Sequence, residues 1–200
     1  MTQPSRFGAA LAFGMFGAAI FPATEAMAAV LNFTLADALA EVDVTLTDVP
    51  TGVQVDLTVD TSTTGNFADI RAFFVDLSDD TLLGGLGFVG ADVTDHDFSG
   101  SVSNLGNGAN VNPDSYEGGI EIGTPGASPD MHTTTTFVLT HPGLDVVDLF
   151  GERVAVRATS VGTDPTGDGN NGSVKLTGTA IPEPTILGGL ALLPLLRRRR

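Results

Sequence analysis

The chain has 200 residues, 24 acidic against 9 basic, with no cysteine and no tryptophan. Glu25, Glu183, Arg6 and Arg197 to Arg200 lie in the terminal segments, so Ala29 to Ile181 holds 22 acids against four bases, a net charge of −18. Four cations are too few to neutralise a row of phosphates, which excludes nucleic acid as a partner, and the missing cysteines exclude disulfides, thiolate metal sites and cysteine nucleophiles.

With 42% hydrophobic and 16% charged residues, the composition suits a packed core rather than a disordered chain. An Asp-rich surface repels itself when compact, and divalent cations or salt relieve that cost. Calcium or a saline habitat would therefore suit the chain.

At the amino end Arg6 precedes the apolar stretch from Phe7 to Phe21, followed by Pro22 and then Ala26-Met27-Ala28. A basic residue, a short apolar run and a small-x-small site make a secretory signal peptide over 1–28, with signal peptidase cutting after Ala28. The expected domain then runs from 29 to 180. From Leu39 the apolar residues alternate: Val42, Val44 and Leu46, then Val53, Val55, Leu57 and Val59 after Pro50-Thr51-Gly52. Period two broken by a turn predicts a β-hairpin.

Further strands are expected over Asp69 to Leu77, Gly84 to Val89, Tyr116 to Ile122, Thr133 to His141, Arg153 to Val161 and Ser173 to Thr179, each flanked by Gly, Pro, Asn or Asp. Gly143 to Gly151 spaces Leu144, Val147 and Phe150 at threes, which suits a helical turn plugging one end of the fold. The fold class expected is all-β: an antiparallel, jelly-roll-like β-sandwich with one short helical turn, flanked by the amino-terminal signal helix and a carboxyl-terminal hydrophobic helix.

Along this span several patterns invite chemistry. Gly85-Leu86-Gly87-Phe88-Val89-Gly90 has the spacing of a dinucleotide fingerprint, but the residues after it, ADVTDHD, are turn-like and start no helix to carry a pyrophosphate. It is read as a glycine-rich strand edge. Glu117 and Glu121 lie on one face of a strand about 13 Å apart, beyond the roughly 5 to 9.5 Å of a glycosidase pair, and are read as a solvated face. His96, His132 and His141 lack ligand spacing, and no G-x-S-x-G elbow or H-E-x-x-H helix occurs.

Oxygen ligands for calcium cluster at Asp76, Asp79 and Asp80, at Asp92, Asp95 and Asp97, and at Asp164, Asp168 and Asn170. None matches an EF-hand loop, because Thr166 and Gly172 stand where the third cluster would need ligands. A structural calcium there is the one cofactor considered. Most of the eight phenylalanines of the span are needed for the core, so sugar stacking on aromatic platforms is not expected.

The carboxyl end reads Pro182-Glu183-Pro184, then the apolar residues Ile186 to Leu196, then Arg197, Arg198, Arg199 and Arg200. Two prolines so close keep the linker extended. Eleven apolar residues reach about 17 Å as a helix, short of a hydrocarbon core of roughly 30 Å. The arginines favour the cytoplasmic side, which puts the preceding domain outside the inner membrane.

These three parts in order resemble the PEP-CTERM sorting signal of Gram-negative bacteria. The resemblance implies processing by an exosortase and movement to the cell surface or its exopolysaccharide; this copy departs from the usual pattern in its short apolar run and in Pro194. DIRAFFVDL (69–77), NLGNGANVN (104–112), GIEIGTPG (119–126), FVLTH (137–141) and VRATSVG (156–162) also resemble an extracellular β-domain that recurs in PEP-CTERM proteins. That likeness implies fold and address, and no functional residue.

The expectation is a non-enzymatic protein of the cell envelope or matrix, with signal peptidase, exosortase, the inner membrane in transit, and exopolysaccharide or other surface proteins as partners. The alternatives are a calcium-dependent glycan-binding module and a secreted hydrolase whose site is assembled across loops.

Overall fold

A computed structural model describes residues 28–106, 108–124 and 130–181. Ten antiparallel strands make two five-stranded sheets. The first is ordered β1 (Val30–Ala36), β2 (Glu41–Val49), β3 (Gly52–Val59), β8 (Thr134–Thr140), β5 (Gly87–Val89). The second is ordered β10 (Gly172–Thr179), β9 (Arg153–Gly162), β4 (Phe67–Val75), β7 (Gly118–Ile122), β6 (Val93–Asp97). Among the described residues no helix is long and apolar enough to cross a membrane.

The pairing is nested. β3 pairs with β8 and β4 with β7, while β5 lies on the far side of β8 and β6 on the far side of β7. A long antiparallel ribbon has thus been rolled so that β3, β4, β5 and β6 fall into alternate sheets and β7 and β8 return beside β4 and β3, the jelly-roll arrangement expected. β1 and β2 widen one sheet beyond β3; β9 and β10 widen the other beyond β4.

Alternation decides which residues face inward. Val42, Val44, Leu46, Val53, Val55 and Leu57 from the hairpin meet Ile70, Phe73, Ile120, Ile122, Val154 and Val156 of the other sheet in one continuous core. Phe73 and Phe137 touch across it, ring centroids 5.8 Å apart.

Two strands were not expected. β1 carries Leu31, Phe33 and Leu35 inward, but its alternation is diluted by alanines on both sides. β6 is Val93 to Asp97, inside the stretch read as turn-like; it is a polar edge strand with no apolar alternation, fixed by pairing with β7. The Gly85–Gly90 motif does lie on a strand edge, since β5 is the outer strand of its sheet and β6 follows it.

The expected helical segment is a 3-10 turn at Val146–Asp148, opened by a capping box between Asp145 and Asp148. Its buried residues are Leu144, Val146 and Leu149, whereas Val147 and Phe150 are 70% and 54% exposed. Leu144 faces inward as expected, and the tighter turn carries Val147 and Phe150 outward. Asp48 of β2 accepts from the Val146 N–H at 2.7 Å and fastens the plug to the sandwich end. Two further turns are α1 (Thr61–Thr64), after the Asp60 cap, and a 3-10 turn at Asp80–Leu83, after the Asp79 cap.

Phe73→Ala is expected to cost about 3–5 kcal/mol in thermal or denaturant unfolding, and Phe150→Ala less than about 0.5 kcal/mol.

Candidate functional site

β4 is buried on both faces. Ala68, Ile70, Phe73 and Val75 belong to the core between the sheets, whereas Ala72 and Phe74 belong to a second cluster with Val102, Ala109, Val111, Tyr116 and Ala155. The second cluster exists because the segment between β6 and β7 folds back over the outer face of the β4-containing sheet. Val102 and Tyr116 form a bridge within that segment, and the Tyr116 ring lies 6.0 Å from Phe74. A Cβ at Gly119 would fall 2.8 Å from the Phe74 ring, so β7 needs glycine where it passes that ring.

A β-bulge in β4 places Arg71 at the rim of this covered face. Ile70 pairs with Ala158 and Ala72 with Arg157, leaving Arg71 as the extra residue. A bulge re-aims a side chain, and here it sets a guanidinium among carboxylates. Arg71 donates to Asp130 at 3.2 Å, to Glu121 at 3.5 Å and to the Thr124 carbonyl at 3.2 Å, while the Asp69 carboxylate lies 4.0 Å away. Arg71, Glu121 and Asp69 are 5%, 1% and 1% exposed.

The network continues outward. Asp69 accepts from the His132 N–H at 3.0 Å, and the His132 ring lies 3.3 Å from Asp130 and 3.8 Å from Asp92. Asp92 also accepts from the Thr135 hydroxyl at 3.0 Å, and Asp130 from the Thr124 N–H at 2.6 Å. Gly123 closes β7 with φ of 78°, and a Cβ there would fall 2.7 Å from both Arg71 and Asp130.

Burial pushes the Asp69 and Glu121 carboxyls above the usual range, against the opposing pull of the His132 N–H on Asp69 and of Arg71 on Glu121. Burial also pushes Asp130 up, but the Thr124 N–H and the nearby His132 and Arg71 outweigh it and hold that carboxyl below its ordinary value.

The three remaining cations lie on the same outer face and act alike. Arg153 donates to the Ser115 carbonyl at 2.9 Å, Arg157 to the Gly108 carbonyl at 3.1 Å, and Lys175 to the Asn112 carbonyl. Arg153 also pairs with Asp76 at 2.6 Å and sits 4.9 Å from the Tyr116 ring centroid. Every cation of the Ala29–Ile181 span thus holds a covering segment against one sheet.

This corrects the reading of Glu117 and Glu121 as a solvated face. Glu121 is buried beside Arg71, and Glu117, just before β7, accepts from the Leu77 N–H at 2.8 Å while its own N–H donates to Asp76 at 3.0 Å. The face is covered, which strand spacing does not reveal. Burial, followed by the neighbouring Asp80 and Asp76, raises the Glu117 carboxyl.

The histidines serve separate surroundings. His96 packs, tilted, between Phe88 and Phe98 with ring centroids 4.8 and 5.2 Å away, His132 joins the Arg71 network, and His141 accepts from the Gly143 N–H at 3.1 Å.

The acidic clusters are occupied by turn hydrogen bonds. Asp164 accepts from the Thr166 N–H and hydroxyl at 2.8 and 2.6 Å, Asn170 donates to the Asp164 carbonyl at 2.8 Å, and Asp168 is exposed. Asp79, Asp95 and Asp97 each accept from a backbone N–H within two residues. Among the described residues no group of three or more His, Asp or Glu is placed to hold a metal ion. Ala28 is exposed; Ala26, Pro182, Glu183, Pro184 and Arg197 to Arg200 lie outside the described residues, as do both expected terminal helices.

No family model matches the chain, and no curated protein or solved structure matches it either.

Sequence reasoning missed Arg71, Asp69 and Asp130. The usable signal was Arg71 itself, a cation inside the apolar run IRAFFV, where an unpaired charge is costly. Chemically the arrangement is a fastening. Its most strongly buried carboxylates cannot meet a polymer in solvent, and its guanidinium donates to Glu121 of β7 and to Thr124 and Asp130 of the chain after it.

Two outcomes follow. Arg71→Met leaves Asp69 and Glu121 buried without their counter-charge and is expected to cost about 3–5 kcal/mol at neutral pH. Since both carboxyls titrate higher in the folded than in the unfolded chain, the folded variant gains protons first on acidification. Its deficit in urea unfolding therefore shrinks as pH falls from about 7 toward about 5. Arg157→Met, by contrast, is expected to leave the unfolding midpoint nearly unchanged and to speed proteolytic nicking near Gly108 severalfold.

Proposed function

We propose that the chain is an exported, non-enzymatic protein of the cell envelope or extracellular matrix. Residues 1–28 direct export, and signal peptidase cuts after Ala28. The Pro182-Glu183-Pro184 linker, the short apolar run and Arg197 to Arg200 hold the chain briefly at the inner membrane for an exosortase, which frees the β-sandwich to the surface. There it meets exopolysaccharide or other surface proteins.

The carrying observation is the pairing of two sorting segments around one acidic, cysteine-free span. The non-enzymatic part is supported by where two of the three raised carboxylates lie. Asp69 and Glu121 have the raised titration that general acids need, but they are almost fully buried and bonded to Arg71 and backbone, so a substrate bond could not approach them. The third, the half-buried Glu117, is engaged by the Leu77 N–H. The jelly-roll by itself implies no particular activity.

Deletion of residues 186–200 checks the sorting reading by cell fractionation and mass measurement of the mature product. The expected result is loss of surface delivery, with the parent chain's tail found cut. Unchanged localisation together with an intact parent tail would remove the reading.

A further inference from the structure

The two outer faces of the sandwich are treated differently. The β4-containing sheet is covered by the segment between β6 and β7, while no described segment covers the outer face of the β1-β2-β3-β8 sheet. On that open face the register lines up side chains in rows across four strands. One row is Asn32, Thr45, Asp56 and Thr136; the next is Thr34, Asp43, Thr58 and Thr134. Neighbouring strands stand about 4.8 Å apart and same-face residues about 6.7 Å apart along each strand, so the rows form a regular grid.

The grid is hydrogen-bonded into place. Thr45 donates to Asn32 at 2.7 Å, Thr136 to Asp56 at 2.6 Å, Thr34 to Asp43 at 2.9 Å, and Gln54 to the second oxygen of Asp56 at 2.9 Å. Between β1 and β2 the face dips into a depression of about 270 Å³ lined by Asn32, Phe33, Thr34, Asp43, Val44 and Thr45. Side chains already fixed lose little freedom when a ligand binds.

The chemistry selects the ligand. These rows hold hydroxyl, amide and carboxylate groups, with no cation and no aromatic ring. A carboxylate has about four acceptor positions, and the internal bonds leave Asp43 and Asp56 able to accept more. The face therefore suits a partner rich in hydroxyl donors. A polyanion would meet a span of net charge −18 whose four cations are engaged on the opposite sheet.

We propose that the outer face of the β1-β2-β3-β8 sheet binds a neutral, hydroxyl-rich polysaccharide. Its repeating units engage successive rows, so that individually weak contacts add along the polymer. The proposal names a ligand class and a surface for the extracellular reading above, and rests on that reading only for where such a polymer is met.

Affinity electrophoresis of the purified chain in native gels tests it, with hydroxyethylcellulose, dextran or galactomannan as neutral polymers and alginate as the anionic one. Thr45→Val with Thr136→Val removes two hydroxyls from one row while keeping strand-forming side chains; Thr177→Val on β10 is the control, and thermal melts verify that both variants are folded. The expected result is retardation by at least one neutral polymer, about tenfold weaker in the double variant, with the control like the parent. No retardation by any neutral polymer, retardation by alginate alone, an undiminished double variant, or an equal loss in the control would each overturn the proposal. Because the readout uses purified protein, it stands or fails separately from the tail's role in sorting.

Discussion

Four cations face 22 carboxylates between Ala29 and Ile181, and all four project from the outer face of one sheet onto backbone carbonyls of the segments that cover it. A charge-assisted bond to a carbonyl is stronger than a neutral one. Placed at Arg71, Arg153, Arg157 and Lys175, such bonds hold irregular chain against β4, β9 and β10 without regular strand pairing. The apolar cluster around Phe74 and Tyr116 supplies the burial beneath them. Where Arg71 enters deepest, its own charge offsets carboxylates that would otherwise be buried alone.

That use of positive charge shapes the rest of the surface. No described segment covers the outer face of the opposite sheet, where Asn32, Thr34, Asp43, Thr45, Asp56 and Thr136 are tied to one another across the strands. One face thus serves the fold and the other is available to solvent and ligand. The division fits a protein read as an extracellular interaction module, since binding to an exposed grid does not disturb the buried ionic network behind the opposite sheet.

Much of the sandwich was legible in the sequence because period-two alternation directly records which side chains are buried. The β2–β3 hairpin was found this way, and β4, β8, β9 and β10 from the turn residues that flank them. β6 escaped because VTDHD is a polar edge strand whose conformation comes from its partner β7. The cover was also invisible: residues 99–117 contain no periodicity, and their role depends on tertiary contact. For the same reason Glu121 read as solvated when it is buried. The Arg71 network was half-legible, since a lone cation within IRAFFV announces a buried partner, but the bulge and the approach of Asp130 from 59 residues away set that partner's identity. Val147 and Phe150 misled because a 3-10 turn, begun by the Asp145 cap, buries Val146 and Leu149 beside Leu144 instead.

Amide hydrogen exchange across the covering segment tests most directly whether cations make it part of the fold. The N–H groups of Val102, Val111 and Tyr116 bond within the segment above Phe74. They are expected to be protected to a degree approaching that of β4 and β9, and much more than the turn from Asp164 to Asn171. Exchange of those three amides at the rate of that turn would contradict the account, because the outer face of the β4 sheet would then be as open as the other.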